Sequence, residues 1–439
     1  MQKIETLIDA RWIIPVEPAD AVLDHHSLAM DEGRIVDILP TSEAASRYEA
    51  HTHLQLTDHA LIPGLINTHT HAAMSLMRGL ADDLPLMEWL QNHIWPAEQQ
   101  WVSNAFVFDG TQLALAEMLR GGTTCFNDMY FFPDEAARAA EKAEIRACVG
   151  LIIIDFPSAW ADSTDAYLHK GLELHDTYRN HPLITTAFAP HAPYTVSDAP
   201  LEKIRMYADE LDIPIHMHIH ETADEISGSM EQNNKRPMAR LQELGLLSPR
   251  LQAVHMTQLT DDEISEYAKA GGHVVHCPES NMKLASGFSP IHKLQTEGIN
   301  VALGTDGTAS NNDLDMFGEM RSAALLAKAV AGDAQALPAE QALRMATLNG
   351  AKAMGIDHIT GSLEVGKAAD IVAINLGGLE NQPLYHPISQ IVYTCGRDKV
   401  TDVWVAGRHL LKDRALTTLD EQALIAKAQE WQKKMERFD

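Results

Sequence analysis

The order of apolar and amphipathic segments predicts an α/β protein: a (β/α)8 barrel of the TIM class, with a small β-domain built from both chain ends. The first observation is an alternation. Between about residues 60 and 355, eight apolar runs (ALIPGLIN, TTCFND, RACVGLIII, ITTAFAP, IPIHMHI, LQAVHM, GHVVHC and NVALGTD) are separated by mostly helix-like stretches such as SNAFVFDGTQLALAEMLRG and APLEKIRMYADEL. Repeated strand–helix units give a parallel sheet covered by helices, and eight of them suggest a barrel with its chemistry at the carboxyl ends of the strands. The second observation is that strand-like sequence recurs at both ends, about 300 residues apart.

At the amino end, IETLIDARWIIPV and SLAMDEGRIVDILP read as short strands, with a turn at Asp31–Glu32–Gly33. Near the other end, GSLEVGKAADIVAINL and KVTDVWVAGRHLLKD read the same way, with Gly361, Gly366 and Gly407 at turns. The last stretch, LDEQALIAKAQEWQKKMERFD, carries apolar residues at helical spacing and is expected to be a surface helix. The expected division is 1–58 plus 356–439 as the composite β-domain and 59–355 as the catalytic barrel.

Composition narrows the partners. The 439 residues include 34 Lys+Arg against 61 Asp+Glu, a formal charge of −27, and 45% are hydrophobic. Such a surface repels phosphate backbones and anionic membranes, so a small neutral or zwitterionic ligand is expected rather than nucleic acid or a membrane. The amino-terminal stretch is too acidic for a secretory signal, and no apolar run reaches the roughly 18 residues of a membrane span. Cys125, Cys148, Cys277 and Cys395 form no CxxC pair, which suits reduced thiols in a cytoplasmic protein.

The 22 histidines matter by placement. His69 and His71 stand at i and i+2 where the first apolar run stops, so both rings can converge on one ion. His51 and His53 repeat the same letters after a polar segment and read as surface. In IPIHMHIHETADE, His218 is the preferred ligand because Glu221 lies three residues on, where the chain turns back over the site. His216 reads as a barrel-interior histidine, and His220 as lying outside or behind the ligands. Asp306 in NVALGTDG ends the last candidate strand, with glycines allowing close approach. His191 and His255 also stand where strands should stop. Three imidazoles and one carboxylate match one divalent ion, Zn2+ with Fe2+ as the rival.

Six ordered motifs resemble the amidohydrolase superfamily, and within it the 5-methylthioadenosine/S-adenosylhomocysteine deaminase family: PGLINTHTHAAMSLMRGLADDLPLMEWL, FAPHAPY, HMHIHETADE, VHMTQL, HCPESNMKLASG and LGTDGTASNNDLDMFGEM. With GKAADIVAIN and the terminal segments, the likeness covers nearly the whole chain. It implies a distorted (β/α)8 barrel with a β-sandwich from both termini. It also implies His69, His71, His218 and Asp306 as metal ligands, Glu221 as proton shuttle and His255 as orienting the attacking water. Glu98 would bind ribose hydroxyls and His191 would touch the substrate. Two-metal members use a bridging lysine at the end of the fourth strand; ITTAFAPHAPY has none, so one metal is expected. The implied reaction is hydrolytic deamination of an adenine nucleoside, with part of 72–101 covering the thioether end. Similar enzymes suggest a homo-oligomer. The rivals are hydrolysis of another heteroaromatic ring (guanine, pterin, cytosine or a chlorotriazine) and a non-catalytic metal-binding protein.

Overall fold

A computed structural model describes residues 1–436. Its amino-terminal strands are longer than the sequence predicts: β1 (Gln2–Ile13), β2 (Leu23–Asp31), β3 (Arg34–Pro40) and a 16-residue β4 (Tyr48–Pro63). A short helix, Thr41–Arg47, lies in the polar segment before His51 and His53, where strands and turns were expected. Its burial is limited to Ala44, which explains why apolar periodicity did not reveal it. β4 passes through residue 58, the expected domain boundary, and its last residues pair with a carboxy-terminal strand.

The eight apolar runs become eight strands of a second sheet: β5 (Leu65–Thr70), β6 (Thr123–Asp128), β7 (Arg146–Ile153), β8 (Ile184–Pro190), β9 (Ile215–Ile219), β10 (Leu251–His255), β11 (His273–His276) and β12 (Asn300–Leu303). They pair in parallel in sequence order, the (β/α)8 arrangement. Both faces are covered, so β6, β7, β9 and β10 are buried along their whole length, their polar residues included.

Two seams distort the barrel. β8 and β9 share a single register pair, Phe188 with Ile215. Where β12 meets β5, side chains do much of the joining: Thr68 Oγ1 donates to the Leu303 carbonyl at 2.6 Å, and Asn67 bonds Thr305 through both ends of its amide at 2.8 and 3.0 Å. These buried amides and hydroxyls, with a backbone bond from Asp306 N to the His69 carbonyl at 3.0 Å, join the seam in place of a regular ladder.

The terminal segments join as expected. β13 (Ile371–Asn375), β14 (Val400–Val405), β15 (Arg408–Lys412) and β16 (Ala415–Leu416) extend the first sheet in the order β16-β15-β14-β13-β4-β1-β2-β3. A buried ion pair links this sheet to the barrel: Arg146 at the start of β7 meets Asp370, just before β13, at 3.0 and 3.2 Å. The expected surface helix runs Glu421–Met435, started by Asp420, whose carboxylate accepts from Ala423 N; residues 437–439 lie outside the described residues.

Candidate metal centre and substrate cavity

His69 lies on β5, with His71 just past its end; His218 lies on β9 and Asp306 just beyond β12. The topology carries them to one end of the barrel. One ligand atom from each lies within 4.8 Å of the others. His69 Nε2 is 3.1 Å from His218 Nε2 and 3.3 Å from Asp306 Oδ1, and His71 Nε2 is also 3.3 Å from that oxygen. Ligand atoms about 2.0–2.2 Å from one zinc in a tetrahedron stand about 3.3 Å apart, so the spacing fits a single ion. Gly304 and Gly307 permit this approach: a Cβ at Gly304 would lie 2.7 Å from His69 N, and one at Gly307 3.0 Å from His71 Cβ.

Hydrogen bonds fix the rings. His71 Nδ1 is 2.5 Å from the Met129 carbonyl and His218 Nδ1 is 2.7 Å from the His191 carbonyl. A carbonyl can only accept, so each Nδ1 carries the hydrogen, which leaves each Nε2 as the atom facing inward, where a metal ligand is required. His69 Nδ1 is 2.9 Å from His216 Nε2, which makes the barrel-interior histidine the partner that orients His69. Burial pushes the His69 imidazole down to about 4 despite Asp306, and holds His218 well below the ordinary range. Both are therefore neutral near pH 7. Burial acts the other way on Asp306, but the close approach of His69, with His71 and His255 around it, outweighs burial and holds the carboxyl well below its ordinary range. Ser280 Oγ donates to its other oxygen at 2.6 Å.

Glu221 and His255 flank this group. Burial raises the Glu221 carboxyl, opposed by His255, whose Nε2 is 3.8 Å away. His255 Nδ1 is tied to Asn281 Oδ1 at 2.8 Å. The buried Glu225 carboxylate accepts from the backbone N–H groups of His220 and Glu221 at 3.0 and 2.7 Å, pinning the turn that carries Glu221. His220, His255 and Asp306 have φ of 55°, 75° and 66°, a left-handed conformation that bulky residues seldom adopt. Such strain concentrates at functional sites. His220 faces away, with Nε2 accepting from Met238 N at 3.1 Å.

The carboxyl-terminal end of the barrel strands opens into a cavity of about 100 Å3, which adjoins a second of about 250 Å3 across Leu86, Tyr194 and Glu221. His71, His191, His218, Glu221, His255, Asp306 and Glu98 all line the first; His69 lies fully buried behind them. Glu98 sits on helix Trp95–Trp101, and loss of solvent pushes its carboxyl up to about 7 although the Tyr130 phenol and His71 lie close. Burial and the neighbouring His71 and His69 push the His191 ring down to about 3. From segment 72–101, Met74, Leu86, Trp89, Leu90, Ile94 and Trp95 reach the cavity, while Leu80 is exposed on the surface. His51 and His53 lie exposed on β4, with His53 bonded to Asp9 at 2.7 Å.

Sequence reasoning missed Ser280, Asn281, Tyr130 and Glu225. Ser280 and Asn281 lie inside the HCPESN motif, and Glu225 four residues after Glu221, so proximity to recognised motifs was the available signal. Among the described residues, His69, His71, His218 and Asp306 are the one group of three or more potential ligands brought together in this way.

Residues 60–410 match the amidohydrolase family. A 5-methylthioadenosine/S-adenosylhomocysteine deaminase of Teredinibacter turnerae is 52% identical over 98% of both chains. One from Saccharophagus degradans is 53% identical over 98% of this chain and 97% of its own. The crystal structure of an adenosine deaminase from Xanthomonas campestris with bound zinc superposes with a TM-score of 0.98 at 55% identity, covering 99% of each chain. The ligand geometry, the fold and these likenesses agree: the chain belongs to the amidohydrolase family, in the branch of the 5-methylthioadenosine/S-adenosylhomocysteine deaminases.

Proposed function

We propose that this protein hydrolyses the 6-amino group of adenine nucleosides, 5'-methylthioadenosine and S-adenosylhomocysteine being the substrate class, to the inosine analogue and ammonia. The observation that carries the reading is the pair of carboxyls, Glu221 and Glu98, lining one cavity beside three convergent imidazoles and Asp306. The names of the relatives and the zinc in the solved neighbour support it.

His69, His71, His218 and Asp306 would hold the ion, which when bound supplies Lewis-acid activation of water at neutral pH. The chain's own groups do the rest. Glu221, its carboxyl raised by burial, donates a proton to purine N1 as water adds to C6. Asp306 takes a proton from that water, and its return to the exocyclic nitrogen lets ammonia leave. His255, held by Asn281, orients the water. Glu98 accepts from the ribose hydroxyls and His191 contacts the ring.

The composite 1–58 plus 356–439 unit and the 59–355 barrel remain the proposed division. A cytoplasmic setting is supported by four buried free cysteines. No described helix is long and apolar enough to cross a membrane. Leu379 and Tyr385, 89% and 90% exposed, offer apolar surface for a homo-oligomer. The test is a panel of adenine nucleosides, guanine and cytosine given to zinc-loaded protein, with ammonia and the hypoxanthine spectrum recorded. Ammonia from adenine nucleosides supports the reading. Metal uptake with no ammonia from any compound would leave the protein a metal binder only.

A further inference from the structure

We infer that the cavity selects adenine nucleosides whose 5' group is uncharged, with the methylthio group as its fit, and discriminates against the zwitterionic homocysteinyl tail. The inference rests on the deaminase reading and separates the two substrates that reading leaves together.

Position comes from Glu98. Trp95 is three residues before it on the same helix, so both side chains share a face about 5–6 Å apart. A carboxylate on the ribose hydroxyls therefore brings the sugar's 5' substituent to Trp95. Across from Trp95 stands Phe156, on the loop after β7, with ring centroids 6.4 Å apart and planes at 62°. Ile152 and Ile154 continue the same wall. Phe156 is 40% exposed, an aromatic face at the cavity mouth that a thioether would cover. Sulfur beside aromatic edges is a favourable contact.

Charge comes from what lines the walls. No lysine or arginine is among the described residues lining either adjoining cavity, and the second presents Asp224 and Glu225. Lys283, next to the wall residue Leu284, is already engaged by Asp82 at 2.6 Å and by Asn312. The homocysteinyl carboxylate would leave water with no cation in either lining to meet it, since Asp224 can pair only with the tail's ammonium. An unpaired charge against apolar walls is strongly disfavoured.

The test is kcat/KM of the zinc-loaded protein for three nucleosides: 5'-methylthioadenosine, 5'-butylthioadenosine and S-adenosylhomocysteine. The butyl compound matches the homocysteinyl length without its charges. We expect the two neutral thioethers within about tenfold of each other and S-adenosylhomocysteine at least about 100-fold lower, the scale of an uncompensated buried charge. Phe156→Arg, at a position exposed enough to hold a guanidinium, should narrow that gap at least about tenfold. S-adenosylhomocysteine within tenfold of methylthioadenosine would overturn the inference while leaving deamination intact. The butyl compound failing alongside it would overturn charge as the cause in favour of length. No turnover of any adenine nucleoside would overturn the deaminase reading and the inference with it.

Discussion

Removing the charge of Glu98 should damage the reaction of nucleosides and spare that of the free base. Hydrogen bonds to a charged group contribute about 1.5–3 kcal/mol. At about 1.4 kcal/mol per tenfold, Glu98→Gln should lower kcat/KM for adenosine analogues by roughly 10- to 150-fold. Adenine, which has no ribose, should change by less than about threefold. pH gives a second signature. The Glu98 carboxyl is raised from 4.5 to about 7 by loss of solvent, so it binds a proton as pH falls through about 7 and loses its acceptor charge. Nucleoside kcat/KM should therefore fall on acidification more steeply than base kcat/KM. Dividing one by the other cancels Glu221, Asp306 and the activated water, which act on the ring in both substrates. The divided profile should rise through about pH 7 in wild type and be flat in Glu98→Gln. The ultraviolet change as the adenine ring becomes the hypoxanthine ring follows both reactions. Equal losses for nucleoside and base, or the same divided profile in both proteins, would refute a ribose contact by Glu98.

Three other substitutions probe separate links. Glu221→Gln should keep its metal, measured by elemental analysis, and lose about 10²–10⁴ in kcat, the range for a general acid; unchanged kcat would remove Glu221 from proton transfer. His216→Phe deprives His69 Nδ1 of its 2.9 Å partner and should weaken zinc about 10–100-fold in a competition titration with a chelator, whereas an unaltered affinity would contradict that orienting role. Arg146→Ala strands the buried Asp370 carboxylate and should cost about 3–5 kcal/mol in urea unfolding, with metal content unchanged; a cost under about 1 kcal/mol would show that the pair contributes little to joining sheet and barrel.

The barrel was legible because its strands are largely buried on both faces and carry short apolar runs, and because βα units leave long amphipathic intervals. The candidate ligands were legible because strand ends are marked by the change from apolar to polar sequence, as in IPIHMHIHE and NVALGTDG. Choosing His218 from three alternating histidines needed the turn toward Glu221, and the structure brings His218 to the group while His216 sits below it and His220 points away. Supports that come from other strands were not legible. Met129 O and His191 O set the tautomers of His71 and His218 through backbone atoms, which no residue type announces. Phe156 likewise lies about 60 residues from Trp95 and joins its wall only after folding. The length of β4 was hidden because its first twelve residues are mostly exposed and polar, with only Tyr48 buried and Ala50, Leu54, Leu56 and His59 half-buried.

The most direct measurement is diffraction from zinc-loaded crystals on both sides of the zinc absorption edge. One anomalous peak per chain is expected, about 2.0–2.2 Å from Nε2 of His69, His71 and His218 and from Oδ1 of Asp306, with a free position toward Glu221. A peak bound elsewhere, a second ion sharing the site, or no peak after loading would contradict the account.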